Sequence, residues 1–298
     1  MDTDDLKKFI EIANCGNLQR ASVKLNVTAG ALSKVVKRLE NTLGTTLFDR
    51  IGRNIVLNSR GAKFRQYALH IVHETEQAIS EFIGADHTTT VKLSGPAILL
   101  QHQLSDIVKG LHSMSLEFNV DAVWEGQALS HVSTGQSHLA LVTKAGLQEH
   151  GARSELTSIS LGKTTYCVVA GKSHPIINSL IDGNVSMAGL SSFGFACPNV
   201  SPLCGIRRGM GSDGWHDEKM PRYIQYRCND FSTLLSLVRR GLALAYVPEF
   251  VATTEELPTI NIVENQSCNE EEVVLVYKPS LANGWLNRLM QTLKDMAQ

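Results

Sequence analysis

The stretch NLQRASVKLNVTAGALSKVVKRLENTL, residues 17–43, decides the fold of the N-terminal part of the chain. Asn17 is suited to cap a short first helix, and Asn26 tolerates the left-handed backbone conformation of a tight turn. Thr28 is then placed to cap a second helix, which Gly44 ends. Two short helices joined by a tight turn predict a helix-turn-helix.

The second of these helices has two contrasting faces. Its apolar residues recur at helical spacing and predict a buried stripe made of Leu32, Val35, Val36, Leu39 and Leu43. The opposite face is small, polar and basic, which suits the major groove of DNA, where Ser and Lys reach base edges or phosphates. The residues predicted to meet DNA on this face are Thr28, Ala29, Gly30, Ser33, Lys34, Lys37 and Arg38.

The segment that follows the second helix has the pattern of a β-hairpin. Gly52 permits a sharp turn, and Ile55 and Leu57 alternate inward on a return strand. Arg50 and Arg53 lie at the turn, where the wing of a winged helix-turn-helix contacts the flanking DNA backbone. An ordinary hairpin with surface arginines is the alternative. The position directly after a helix-turn-helix favours the wing.

Charge is distributed unevenly along the 298 residues. The whole chain holds 28 Lys+Arg and 29 Asp+Glu, a formal net charge of −1. Residues 18–65 alone hold ten basic residues against two acidic ones, a net charge of +8, so the remainder is acidic. A compact basic block is typical of a module that meets phosphate, although charge alone also fits a solvated face. The helix-turn-helix pattern favours phosphate.

Residues 1–60 resemble the winged helix-turn-helix of LysR-type transcriptional regulators. The matching stretches are Leu6-Lys-Lys-Phe9, Gly16-Asn-Leu18, Arg20-Ala-Ser22, Leu25-Asn-Val-Thr28, Ala31-Leu-Ser33, Arg38-Leu-Glu40, Leu43-Gly44, Leu47-Phe-Asp-Arg50 and Leu57. The resemblance implies a sequence-specific regulator that binds double-stranded DNA. The family usually has Gln followed by Pro or Ser where this chain has Ala29 and Gly30. Direct readout must therefore depend on Thr28, Ser33, Lys34 and Lys37.

A linker helix and hinge are predicted over residues 61–90. Positions spaced alternately by four and three residues form a heptad seam made of Phe64, Ala68, Ile71, Thr75, Ala78 and Phe82. Such a seam indicates a partner helix, although a helix packed on its own domain is the alternative. The resemblance implies that this helix forms a homodimer, and it also implies the homotetramer that is common in the family. Residues 85–90 are polar and suit a hinge.

Strand-like and helical runs alternate from residue 91 onward and predict an α/β domain with mainly parallel strands. This region resembles, more loosely, the two-lobed, periplasmic-binding-protein-like effector domain of the same family. The resemblance gives a first lobe of about 91–163 and 266–298 and a second lobe of about 164–265. The fold class is therefore α/β overall, with a winged helix-turn-helix over 1–60 and an effector-binding domain over 91–298.

Ligands of such sheets bind beyond the carboxyl ends of strands. The effector-binding residues predicted on this basis are Ser94, Gly95, Pro96, Ala97, Thr143, Asn199, Ser201 and Asn229. Ordinary turn chemistry is the alternative, and Asn229 or Asp230 equally suits a helix cap. The glycine-rich segment 204–222 and its neighbourhood contain Arg207, Arg208, Arg222 and Arg227. An anionic small-molecule effector is one hypothesis, and surface arginines are the other.

Other chemistries find weaker support. Some relatives in the family sense oxidant through a cysteine pair near Cys197 and Cys204, but no basic residue adjoins either sulfur here, which favours inert thiols. Neither metal-ligand spacing nor a nucleotide-binding or nucleophile motif is present, so we expect no metal, no cofactor and no enzyme activity. A solute receptor or an enzyme with a DNA-binding appendage is the distant alternative.

Targeting signals complete the expectations from sequence. No apolar run approaches the ~18–20 residues of a bilayer span, and the acidic N-terminus lacks the pattern of a signal peptide. The scattered cysteines favour reduced thiols over a disulfide scaffold. We therefore expect a cytoplasmic, nucleoid-associated protein with no membrane partner.

Overall fold

A computed structural model of the chain describes residues 1–52, 54–83, 89–109, 116–150, 155–264, 269–281 and 284–296. Arg53 of the predicted wing and residues 84–88 of the predicted hinge lie outside the described residues, as does the side chain of Phe82. The helices are α1 (Thr3–Cys15), α2 (Leu18–Lys24), α3 (Ala29–Leu43), α4 (Ser59–Ile83), α5 (Ala97–Lys109), α6 (Glu125–Thr134), α7 (Lys144–Glu149), α8 (Met187–Leu190), α9 (Phe231–Arg239), α10 (Glu249–Thr254) and α11 (Gly284–Met296). The strands are β1 (Phe48–Ile51), β2 (Asn54–Leu57), β3 (Thr89–Gly95), β4 (Leu116–Ala122), β5 (Leu139–Thr143), β6 (Thr157–Val169), β7 (Asn184–Val185), β8 (Gly194–Pro198), β9 (Tyr223–Cys228), β10 (Ala245–Pro248), β11 (Thr259–Ile262) and β12 (Glu270–Tyr277).

Local capping builds the N-terminal module as the sequence predicts. The Asn17 side chain accepts hydrogen bonds from the first backbone N–H groups of α2, and Asn26 adopts a φ of 53° in the turn. The Thr28 hydroxyl accepts from the Ala31 N–H at 3.2 Å, and Gly44 ends α3 with a φ of 65°. The helix-turn-helix therefore forms from residues whose hydrogen bonds satisfy the free backbone groups of helix ends only a few positions away in the chain.

The core of this module uses one face of α3. Leu32, Val35 and Leu39 are buried as predicted, and Val36 is half-buried. The prediction is wrong for Leu43, which is 38% exposed because α3 ends there, one residue before Gly44. Strands β1 and β2 form the predicted antiparallel hairpin.

Helix α4 begins by packing on its own module. The Phe64 ring lies edge-on to Phe9 of α1, with ring centroids 5.0 Å apart, and Ala68 is fully buried in the same cluster. The predicted dimer seam therefore needs correction at Phe64 and Ala68, whose apolar surface the same chain covers. Ile71 and Ala78 are exposed, and Thr75 is half-buried with its hydroxyl donating to the Ile71 carbonyl.

The C-terminal domain is built on a mixed sheet in the order β4-β3-β5-β12-β6-β11-β7, with β10 also paired to β6. Strand β3 runs parallel to β4 and β5, and β8 runs parallel to β9 in a smaller sheet. The prediction of mainly parallel strands is wrong at the centre, where β12 pairs antiparallel with β5 and β6. Strand β6 also pairs antiparallel with β10 and β11.

The two lobes share strand β6, so the predicted boundary between them does not fall at a break in the secondary structure. Strand β6 runs without interruption through residues 163 and 164, where the sequence places the lobe boundary. Its first part pairs with β12 in the first lobe and its last part with β10 and β11 in the second. Any change in the relative orientation of the lobes must therefore bend or twist β6. Among the described residues, no helix has both the length and the apolarity that a bilayer crossing requires.

Candidate functional site

The outward face of α3 is a surface that the fold itself does not use. Ser33, Lys34 and Lys37 are exposed, opposite the buried Leu32 and Leu39. Thr28 and Gly30 are exposed at the N-terminal end of α3, and Ala29 is half-buried. A Cβ built on Gly30 would meet no atom within 4 Å, so packing inside the chain does not require glycine there. The face combines the positive end of a helix dipole with two lysines, which suits phosphate.

Arg38 takes part in an ion pair that stabilises the fold of the module. Its Nε donates to Oδ2 of Asp5 at 2.7 Å, and its second guanidinium nitrogen donates to the other carboxylate oxygen. Asp5 is only 4% exposed, so Arg38 neutralises a buried carboxylate and joins α1 to α3. The Arg38 side chain is nevertheless 61% exposed, so the prediction that it meets DNA stays a prediction beside this positioning role.

The predicted wing is held against the helices. The Ile55 N–H donates to the Gly16 carbonyl at 2.9 Å, which ties β2 to the turn after α1. Arg50 is exposed on β1, where it faces Ile55 across the hairpin. The exposed Arg50 and the exposed face of α3 give the module its two candidate DNA contacts.

A cavity of about 440 Å³ lies between the two lobes of the C-terminal domain. Its walls include Glu125, Thr143, Gly146, Glu149, Tyr166, Ser201, Cys204, Arg208, Ser212, Asp213, Trp215, His216, Glu218, Phe231, Tyr246, Glu270 and Glu271. The lobes touch beside it, where the Glu125 N–H donates to the Leu203 carbonyl at 3.1 Å and Arg208 forms an ion pair with Glu149. A cavity of this size suits a small molecule.

Only part of the predicted effector site reaches this cleft. Thr143 and Ser201 line the cavity, and their predicted contact with an effector stays a prediction. Ser94, Gly95 and Pro96 are buried, Ala97 is exposed, and none of the four lines the described walls. The reason is close packing, since a Cβ on Gly95 would lie 2.5 Å from the Leu141 carbonyl oxygen.

The other two predicted residues bind each other. The Asn199 amide nitrogen donates to Oδ1 of Asn229 at 2.7 Å, outside the described cavity walls. Asp230 caps α9, accepting from the Thr233 N–H at 2.8 Å. Hydrogen bonds from Ser232 and Thr233 lower the pKa of Asp230. This corner of the second lobe is therefore turn and cap chemistry, the alternative that the sequence left open.

The arginines of segment 204–222 and its neighbourhood are mostly engaged within the chain. The buried Arg222 guanidinium donates to Asp213 at 2.8 Å and to Asp217 at 2.9 Å, and it lies 5.1 Å from the centroid of the Phe195 ring. Arg227 donates to the Met210 carbonyl at 2.7 Å. Arg208 is paired with Glu149, and Arg207 is exposed. These contacts favour the alternative of surface and internally paired arginines over an anion site.

Carboxylates dominate the cleft instead. Glu125, at the start of α6, is 3% exposed, and its Oε1 accepts from both the backbone N–H and the hydroxyl of Thr143 at 2.7 Å. Burial raises the pKa of Glu125, although the hydrogen bonds from Thr143 act in the opposite direction. Sequence reasoning missed Glu125, although it lies three residues after the end of β4, at the same sheet edge as Thr143.

Three aromatic rings form one wall of the cleft. The Tyr166 and Tyr246 rings have centroids 5.3 Å apart, and Trp215 lies 5.1 Å from Tyr246 in an edge-on arrangement. Burial raises the pKa of Tyr166, so this phenol stays neutral in the physiological range. The sequence offers no local signal for this wall, because β6, β10 and segment 204–222 each contribute one ring.

The cysteine pair and metal chemistry find no support in the geometry. Cys197 is fully buried on β8, and burial together with the Asp213 charge raises its pKa, which opposes formation of the reactive thiolate. Cys204 is half-buried in the cleft wall. The described ranges contain no group of three or more His, Cys, Asp or Glu that is placed to hold a metal ion.

Comparison with known proteins covers nearly the whole chain. Residues 3–62 match the family model described as bacterial regulatory helix-turn-helix protein, lysR family, and residues 84–298 match the LysR substrate binding domain. The curated regulator DgdR of Burkholderia cepacia is 32% identical over 96 residues, which are 32% of this chain and 33% of DgdR. The chain thus matches about a third of that relative's length.

Solved structures share the overall fold at low sequence identity. ArgP from Mycobacterium tuberculosis superposes with a TM-score of 0.65 at 16% identity, covering 100% of this chain and 98% of that one. Full-length LysG from Corynebacterium glutamicum, solved with bound effector Arg, gives a TM-score of 0.62 at 18% identity, again covering 100% and 98%. At these identities the likeness establishes the fold and leaves ligands and DNA sites to be argued from the chain itself.

Proposed function

The chain belongs to the LysR family, and we propose that it is a DNA-binding transcriptional regulator controlled by a small molecule bound between the lobes of its C-terminal domain. The observation that carries this proposal is the exposed face of α3. Lys34 and Lys37 are exposed on a helix whose opposite side packs Leu32, Val35 and Leu39 into the core, and neither lysine forms an ion pair with another described residue. A solvated basic helix face of this kind fits a major groove.

The strand β6, which both lobes share, supports control by a ligand bound between them. A molecule that prefers one arrangement of the lobes shifts the population toward that arrangement by its difference in affinity for the two. Because β6 runs through both lobes, that shift changes how the lobes are presented to neighbouring subunits. The LysG structure with its bound Arg is a precedent for small-molecule control on this fold.

The proposal includes a homodimer, assembled further into a homotetramer as is common in the family. The exposed Ile71, Ala78 and Ile79 on the second half of α4 are apolar surface that a second copy of the helix would cover. A dimer places two α3 helices on half-sites one or more helical turns apart. Such a regulator works at the chromosome, so the proposal includes a cytoplasmic, nucleoid-associated protein without a catalytic role.

Binding to the DNA upstream of the protein's own gene tests this function. We expect the full chain to shift this fragment, with an affinity that falls roughly 10³-fold between 50 and 200 mM salt if about six phosphates are contacted. An unrelated fragment of equal length measures non-specific binding. Equal affinity for both fragments, or affinity independent of salt, would contradict a sequence-specific DNA regulator. Genome-wide mapping of bound DNA would then identify the target genes.

A further inference from the structure

The charges of the cleft between the lobes are not balanced by the chain itself. Four of its carboxylates have cationic or protonatable partners, which are Glu149 with Arg208, Asp213 with Arg222, Glu218 with His216, and Glu270 with Lys163. Within the described residues, Glu125 and Glu271 form no ion pair. The Arg208 charge acts on both carboxylates and the His150 charge acts on Glu125, but Arg208 is already paired with Glu149. The cleft therefore holds two carboxylates that have no ion-pair partner of their own among the described residues.

Glu125 and Glu271 belong to one electrostatic site. Burial raises the pKa of Glu271, the charge of Glu125 raises it further, and the charge of Arg208 acts in the opposite direction. Glu125 uses Oε1 for Thr143, and a Cβ on Gly146 would lie 2.5 Å from Oε2, so the absence of a side chain at Gly146 makes room for the carboxylate. Two poorly hydrated carboxylates that repel each other are stabilised most by a cation placed between them.

The rest of the wall suits an organic cation rather than a bare ion. The rings of Tyr166 and Tyr246 line the same cavity, and aromatic rings attract ammonium groups. Trp215, whose ring centroid already lies 5.2 Å from the Arg222 guanidinium carbon, adds apolar surface to this wall. The volume of about 440 Å³ is far larger than an ion needs. The described residues offer no cluster of metal ligands, which further separates this site from a metal centre.

We propose that the cleft takes an organic amine, whose ammonium group lies between Glu125 and Glu271 while its carbon skeleton packs on the aromatic wall. This inference deepens the proposed function, on which it rests for its regulatory meaning. It replaces the anionic effector that the arginines of segment 204–222 suggested. The ligand contacts both lobes, since Glu125 opens α6 in the first lobe and Tyr246 belongs to β10 in the second.

Three five-carbon probes that differ only in charge test the ligand class. 1,5-Diaminopentane, pentane-1,5-diol and glutarate are titrated into the full chain at equal ionic strength, and the thermal midpoint and tryptophan fluorescence are followed. We expect the diamine to raise the midpoint by about 2–4 °C at roughly five times its Kd. We expect no shift with the diol or glutarate. A glutarate response, an equal response to all three probes, or no diamine response up to 50 mM would overturn the proposal.

Two neighbouring glutamates on β12 provide matched variants. Glu271→Gln removes the unpaired carboxylate, whereas Glu272→Gln removes one that is paired with Lys144 at 2.6 Å. We expect the Glu271→Gln chain to lose at least tenfold in diamine affinity and to melt above the unliganded wild type, because a repulsive charge is gone. The Glu272→Gln chain should keep its diamine response. Equal responses of the two variants would overturn the assignment of Glu271.

The outcome is separable from that of the proposed function. Salt-dependent DNA binding together with a glutarate response would leave the regulator intact and remove the cationic ligand. A diamine response without DNA binding would support the cationic ligand and contradict the proposed DNA-binding regulator.

Discussion

The outer face of α3 and the cleft between the lobes are both charged, but they differ in the exposure of their charged side chains. Lys34 and Lys37 lie in water, where holding a charge costs little. Glu125 is 3% exposed, and Glu271 is half-buried in the wall of the same cavity, where unpaired charge is costly. The first region can meet many phosphates with modest strength each, and the second can discriminate among small ligands.

This difference explains why near-neutral net charge is a poor guide to the partners of the chain. The basic block at 18–65 and the acidic remainder cancel in the formal sum of −1. In the structure, the basic charges are concentrated on one small module, and unpaired acidic charges collect in a cavity of the other domain. Charge therefore has to be assigned by region and by burial before it indicates a partner.

The largest effect is expected from the buried ion network beside the cleft. Arg222→Met leaves the carboxylates of Asp213 and Asp217 buried without their cation, which is expected to destabilise the second lobe by about 3–5 kcal/mol. Chemical unfolding of the full chain measures this. Arg207→Met, at an exposed position of the same segment, is the control and is expected to change stability by less than ~0.5 kcal/mol. Equal losses in the two variants would contradict the distinction between buried and solvated charge.

Two glycines provide a smaller contrast between the regions. In Gly146→Ala the new methyl group would overlap the Glu125 carboxylate, so we expect a loss of roughly 1–3 kcal/mol. Gly30→Ala adds a methyl group that meets no atom and raises helix propensity, so we expect a gain of up to about 1 kcal/mol. Thermal unfolding of both variants checks the opposite signs. A destabilising Gly30→Ala would mean that α3 is packed more tightly than the described contacts indicate.

A substitution in the second half of α4 can test dimerisation without disturbing the fold of the subunit. Ile71→Glu places a charge on the exposed apolar stripe of α4. We expect the dissociation constant of the dimer to rise at least tenfold, which corresponds to about 1.4 kcal/mol, with no loss of helicity. Gln66→Glu, at an exposed position near the first half of the helix, is the control. Sedimentation equilibrium measures the assembly. An unchanged assembly in Ile71→Glu would place the subunit contact elsewhere.

The smallest effect is a pH dependence confined to the cleft. A carboxyl group whose pKa is raised on folding supports the folded state below its unfolded pKa, and this support is lost as pH rises through the folded pKa. The stability of Glu271→Gln relative to wild type should therefore increase from pH 4 to pH 7. Lys34→Ala, on the exposed face of α3 in the other module, is the control, and its stability relative to wild type should stay constant over the same range. Denaturant midpoints across that pH range check both expectations.

Sequence predicts the N-terminal module well because its decisive interactions are local. Asn17 and Thr28 cap helices two to three residues away, and the left-handed Asn26 and Gly44 act within their own turns. The family resemblance then supplies the two-lobed domain. The wing hairpin is equally local, since Ile51 at the end of β1 pairs with Asn54 at the start of β2.

The cleft could not be predicted from the sequence because pairing between strands that are distant in the chain assembles it. Glu271 joins Glu125 only after β12 pairs with both β5 and β6, and nothing in the local pattern announces those antiparallel contacts. The arginines mislead for a related reason. Arg222 looks like an exposed anion site in the sequence, whereas Asp213 and Asp217 of its own segment fold back to bury it. Phe64 and Ala68 satisfy a heptad pattern equally well against α1 and against a second copy.

The slope of log affinity against log salt concentration tests most directly the claim that the exposed lysines read phosphate while the cleft carboxylates do not. The measurement compares wild type, Lys34→Ala/Lys37→Ala and Glu271→Gln on the upstream DNA fragment. We predict a slope shallower by about two per subunit in the lysine variant, since each phosphate contact contributes about 0.9. We predict the wild-type slope for unliganded Glu271→Gln. The same slope in the lysine variant as in wild type would contradict the account.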